Sequence, residues 1–97
     1  MIVTYTGRHL TVRDEMKEYL EKRMQKFKFY YDHILNINVI VGEEHGKIIC
    51  EIKVKANHDS YFAKESASTW QEAFDSVTDD IETEIKKKKN RIKDHHK

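Results

Sequence analysis

Between Ile37 and Ala63 an apolar residue recurs at every second position within each of three segments, Ile40, Ile49 and Phe62 standing between, whereas over residues 12–31 and 70–92 apolar residues recur in threes and fours. One element cannot serve both periods, because a strand alternates its side chains every two residues and a helix repeats about every 3.6. In ILNINVIVG, Ile37, Val39 and Val41 share a face. In KIICEIKVKA, Ile48, Cys50, Ile52, Val54 and Ala56 point one way and Glu51, Lys53 and Lys55 the other. The polar GEEHG between them makes the two segments a hairpin, and after the turn NHDS the stretch SYFAKES reads as a further strand with Tyr61 and Ala63 inward. The opening IVTYTG alternates as well, Val3 and Tyr5 against Ile2, Thr4 and Thr6, until Gly7 breaks it.

The two remaining segments read as helices. Val12, Met16, Tyr19, Leu20, Phe27 and Tyr30 or Tyr31 form one stripe, so a first helix is expected over about 12–30 with Thr11 as candidate cap. Thr69-Trp70-Gln71-Glu72 has the form of a capping box and opens a second helix. Its stripe, Trp70, Ala73, Phe74, Val77, Ile81, Ile85 and Ile92, carries the lysines after Ile85 on the same helix.

The order β-α-β-β-β-α predicts an α+β fold. The segment between the first two strands is long enough for a crossover, which makes them parallel; the last three meander, giving a four-stranded mixed sheet with both helices packed on one face. The chain has 97 residues and no Gly-, Pro- or Ser-rich linker, so residues 1–97 are expected to be a single domain. A chain of this size leaves little room for a large catalytic cleft. Cys50, the one cysteine, is expected to be core filler in a reducing compartment. No apolar run is long enough to span a bilayer and MIVTYTGRHL does not read as a signal peptide, so a cytoplasmic protein without membrane contact is expected.

Catalytic and metal chemistry find no support. His9, His33, His45, His58, His95 and His96 contain no pair at i, i+4, and no phosphate-binding glycine loop occurs. Ser60, Ser66, Ser68 and Ser76 stand in no nucleophile motif. The reading is a protein without enzymatic activity, cofactor, metal or small-molecule substrate.

Charge is the informative feature. The net charge is +1, yet residues 86–97 hold seven Lys or Arg against one Asp, leaving eleven against sixteen acids in residues 1–85. The basic end of the second helix spans about 86–93, followed by a frayed tail at 94–97. The first helix carries Lys22, Arg23, Lys26 and Lys28 in its second half. Cations near a helix C-terminus also complement its dipole, so either cluster alone has a structural explanation. Side by side, the two would form a positive groove suited to a phosphate backbone. Few aromatics are interleaved with these lysines, which points to backbone and shape recognition rather than base reading.

The α-β-β-β-α portion invites comparison with double-stranded-RNA-binding domains, which place lysines at the start of their second helix. Here that start is Thr69-Trp70-Gln71-Glu72 and the lysines lie at the other end, so an ordinary domain of that kind is a poor match. The stretch TGRHLTVRDEMKEYLEKRMQKFKFYYD, residues 6–32, resembles instead the N-terminal signature of bacterial ribosome hibernation-promoting factors, the ribosomal subunit interface proteins. Residues 69–93 resemble the second helix of that family, with Ala73-Phe74-Asp75 where it usually has Ala-Ile-Asp.

The resemblance implies the same β-α-β-β-β-α fold. It further implies binding to the small ribosomal subunit near the decoding centre, through ribosomal RNA and neighbouring ribosomal proteins. Messenger and transfer RNA would be blocked by occupancy alone, and ribosomes would hibernate under stress or in stationary phase. RNA contact is carried over to Lys22, Arg23, Lys26, Lys86, Lys87 and Lys89. The chain resembles the family's short form, which depends on a separate factor to pair ribosomes. It departs from the pattern where the family has Asp-Lys-Leu and then Arg-Gln; here stand Asp79-Asp80-Ile81 and Thr83-Glu84. Those acids, with Glu82, support an alternative: a protein-interaction module whose acidic face meets a basic partner without ribosome binding.

Overall fold

The computed structural model describes residues 2–27 and 34–95, with side chains of the last helix described as far as Lys88. The elements are β1 (Ile2–Arg8), α1 (Asp14–Met24), β2 (Ile34–Glu44), β3 (Lys47–Ala56), β4 (Ser60–Ala67) and α2 (Trp70–His95). The sheet order is β1-β2-β3-β4, with β1 parallel to β2 and the other pairs antiparallel. This is the expected mixed sheet, and α1 is the crossover that a parallel pair requires.

One buried cluster joins every inward face. Leu20, Met24 and Phe27 meet Ile37, Val39, Val41, Cys50, Ile52, Val54 and Ala63 from the sheet, and Phe74, Val77, Ile81 and Ile85 from α2. Both helices therefore cover the same face of the sheet. Each fully buried aliphatic or aromatic side chain here contributes about 1.5–3 kcal/mol relative to its exposed state. Val3 and Tyr5 pack on the margin of the cluster, as the alternation of β1 predicts.

The first helix is shorter than its stripe suggested. It starts at Asp14, not Val12, and the capping position belongs to Arg13, whose extended backbone (φ −83°, ψ 159°) presents a carbonyl to the amides of Met16 and Lys17. Thr11 is thus not the cap. Val12 reaches the core from the preceding loop, which mimics helical spacing in the sequence. Asp14 and Glu15 face the positive end of the helix dipole, and Lys22 and Arg23 the negative end. The expected continuation through residues 28–30, together with Tyr30 and Tyr31, lies outside the described residues.

Three backbone details set the sheet. β1 continues one residue past Gly7, where a Cβ would collide with the carbonyl of Leu10, so the chain folds back against that glycine. His45 and Gly46 both have positive φ (51° and 78°), the signature of a two-residue primed turn closing the β2–β3 hairpin. Between Ile34 and Asn36 the β2–β3 register slips, which lets Ile34 and Ile37 both point inward and leaves Leu35 exposed.

At the start of α2, the Thr69 hydroxyl accepts the Glu72 amide at 3.2 Å, the expected cap. The helix then runs for 26 residues, about 39 Å at 1.5 Å per residue, well past the end of α1.

Candidate nucleic-acid interface

The relative placement of the two helices decides which cations are available. Tyr19 packs on Trp70 and Phe74, with ring centroids 5.4 Å and 6.4 Å away, and its hydroxyl donates to Asp75 at 2.7 Å. One turn on, the Arg23 Nε lies 3.0 Å from Asp75 and 3.2 Å from the Thr78 hydroxyl, and its Nη2 lies 3.4 Å from Asp79. The helices therefore run parallel, and the C-terminal half of α1 rests beside the first half of α2. The two basic C-terminal halves are offset and not side by side, because α2 is more than twice as long.

Arg23 consequently serves the helix pair. Its guanidinium is neutralised by two carboxylates and is mostly covered, at 27% side-chain exposure. Thr78, buried between the helices, accepts from Arg23 and donates to the Phe74 carbonyl at 2.7 Å, so its hydroxyl is satisfied on both sides. The bond to Asp75, helped by burial and by the carboxylate charge, keeps the Tyr19 phenol protonated above its ordinary range, with Arg23 opposing.

The other candidate cations behave differently. Lys22, Lys26 and Lys87 are exposed and have no ion pair among the described residues. Lys86 is exposed and reaches Glu82, one turn back, at 3.1 Å. The Glu82 side chain is mostly covered, at 18% exposure, so this i, i+4 pair is only half open to solvent. The side chain of Lys89 lies outside those described. Lys88, between these lysines in sequence, turns the opposite way: its ammonium pairs with Asp59 in the β3–β4 turn and lies 5.7 Å from the Tyr61 ring centroid. It fastens the distal part of α2 to the sheet.

Of Asp79, Asp80, Glu82 and Glu84 on α2, two are matched by cations of the chain. Asp79 meets Arg23, Glu82 meets Lys86, and Asp80 shares a hydrogen bond with Glu65 on β4, which raises the Glu65 carboxyl above its usual range. Glu84 is exposed. Among the described residues no group of His, Cys, Asp and Glu is arranged to hold a metal ion, and no helix is long and apolar enough to cross a membrane.

Sequence reasoning gave little weight to the outward side of the sheet. Lys53 and Lys55 were legible as outward residues of β3, and Phe62 follows by parity from Tyr61 and Ala63, but nothing in the alternation distinguishes a solvated face from a working one.

Comparison with known proteins adds to this geometry. Residues 3–93 match the family profile described as Sigma 54 modulation protein / S30EA ribosomal protein. A curated relative, the ribosome hibernation promoting factor of Acidithiobacillus ferridurans, is 29% identical over 58 residues, covering 59% of this chain and 74% of the relative. Among solved structures, the ribosomal subunit interface protein of Coxiella burnetii superposes with a TM-score of 0.86 at 23% identity, over 93% of this chain and 99% of that one. The N-terminal domain of Protein Y from Thermus thermophilus gives a TM-score of 0.83 at 26% identity, over 90% and 98%.

Proposed function

From the chain's membership of the Sigma 54 modulation protein / S30EA ribosomal protein family, we propose that it is a non-catalytic ribosome-associated hibernation factor of the cytoplasm. It binds the small subunit near the decoding centre, contacting ribosomal RNA and adjacent ribosomal proteins. Occupancy alone excludes messenger and transfer RNA when growth stops, and dissociation reverses it. The observation that carries this reading, beside the family match, is the set of solvent-facing cations on the helical side: Lys22 and Lys26 at the end of α1, Lys86 and Lys87 on α2. Phosphates attract such cations by counterion release, and Lys22, Lys26 and Lys87 have no ion pair among the described residues to give up on reaching one. Lys89 joins the set by its place in the sequence. Arg23 contributes indirectly, by fixing α1 against α2.

The acidic-module alternative loses support from the ion pairs of Asp79 with Arg23 and of Glu82 with Lys86 within the chain. Cosedimentation with small subunits and whole ribosomes across a salt series tests the proposal. The bound fraction should fall steeply with salt, with a log–log slope shallower by about 0.7–0.9 for each phosphate contact removed in a Lys86→Glu, Lys87→Glu, Lys89→Glu variant. Absence of binding at low salt, or equal binding by the variant, would sink it.

A further inference from the structure

Among the described residues no element covers the face of the sheet turned away from the helices. Strand register arranges its outward side chains in rows: Ile2, Asn36, Lys55 and Ser60; then Thr4, Asn38, Lys53 and Phe62; then Thr6, Ile40, Glu51 and Lys64. Phe62 is 52% exposed, an unusual position for a phenylalanine on an edge strand. The Lys53 ammonium lies 6.0 Å from its ring centroid, a cation–π distance.

The charge on these rows is one-sided. Lys53, Lys55 and Lys64 are exposed and without an ion pair among the described residues, and the one acid present, Glu51, is 18% exposed and faces Arg8 at 3.8 Å. The Thr4 hydroxyl bonds the Asn38 carbonyl oxygen, which leaves the Asn38 amide hydrogens for a ligand. A shallow open groove between Asn36, Asn38, Lys55, His58 and Phe62 continues the surface.

We propose that this face binds single-stranded RNA, with an unpaired base stacked on Phe62 and the flanking phosphates held by Lys53, Lys55 and Lys64. A half-exposed aromatic ring on a sheet, with a mobile lysine over it and further cations and amides beside it, meets the three needs of an unpaired strand once Lys53 swings to a phosphate: a π-face, phosphate neutralisation and donors for base edges. A duplex cannot use the ring, since its bases are already stacked. A protein partner is disfavoured, because the centre of a protein interface is depleted of lysine and would leave three ammonium groups desolvated. The surface lies opposite the cations of α1 and α2, and the proposal stands whether or not the ribosome reading holds.

The test is fluorescence anisotropy of the purified full chain with a short labelled oligouridine at low salt. Phe62→Ala should weaken binding about fivefold or more, and Phe62→Tyr, which keeps the ring, should restore it. Lys53→Glu with Lys55→Glu should weaken binding at the same salt at least about fivefold more than Lys86→Glu with Lys87→Glu does, since the α2 lysines can hold phosphates but offer no ring to a base. Trp70 fluorescence, reporting the α1–α2 contact, checks that each variant is folded. No binding by the folded wild type, equal affinity of Phe62→Ala, or loss confined to the α2 variant would overturn the proposal. Oligouridine binding that survives alongside failed ribosome cosedimentation would refute only the previous section's reading.

Discussion

Arg23 shows how a cation can look available in sequence and be committed in the fold. Its two carboxylate partners, Asp75 and Asp79, stand where the family pattern also has Asp, so the arginine is held by acids that keep that pattern and not by the departing Asp80. With Asp79 at 66% exposure the outer contact is weak, and the energetic weight falls on the half-covered pair with Asp75 and the hydrogen bond to Thr78. Arg23→Ala should therefore destabilise the protein by about 1 kcal/mol in urea unfolding. Ribosome binding should fall far less than for Lys22→Glu with Lys26→Glu, as cosedimentation of the two variants would show. Lys88 makes the same point, since its reach to Asp59 and the Tyr61 ring separates it from the solvent-facing Lys87.

At the scale of the element, α2 has a clamped half and an overhanging half. Up to Ile85 it is held by core packing; beyond that residue the described attachment is the Lys88 contact with Asp59 and Tyr61. Lys88→Ala should accelerate amide exchange several-fold C-terminal to Ile85 while leaving the amides of Ala73 to Ile81 unchanged, a pattern that residue-resolved hydrogen exchange would reveal. The strands and both helices were legible because their apolar periods differ, and the cap at Thr69 because its hydroxyl and Glu72 stand three apart. The start of α1 was not, because Val12 packs on the core from a loop and so imitates a helical position. The slip at Ile34 was also hidden, since a register shift depends on the neighbouring strand. The candidate site was legible in its lysines. The offset of the helices was not, because it rests on Tyr19, Arg23 and Asp75 meeting across more than fifty residues of chain.

The whole molecule should be sensitive to alkali. Burial, with a smaller part from the charge of Glu51, pushes the Cys50 thiol up to about 12, and burial followed by the charge of Glu21 does the same to the Tyr5 phenol. Both groups release protons more readily when unfolded, so the unfolded chain carries fewer protons above about pH 9. Stability is therefore complete below that pH and declines toward pH 12. Urea midpoints measured across this window should fall steadily, and Cys50→Ala, though less stable at neutral pH from the cavity it leaves, should show a shallower decline. A constant midpoint would contradict the burial of both groups.

The parallel pairing of β1 with β2 has a further consequence, for the order in which the molecule is made. Ile2 lies opposite Asn36, whereas β2, β3 and β4 are joined by short turns and can pair as soon as each emerges. The strand synthesised first thus waits for a partner encoded far downstream, and the loop it must close costs entropy before any contact offsets it. During translation Ile2–Arg8 is an unmatched edge, polar at Thr4, Thr6 and Arg8 along one side, a composition that keeps a waiting strand soluble.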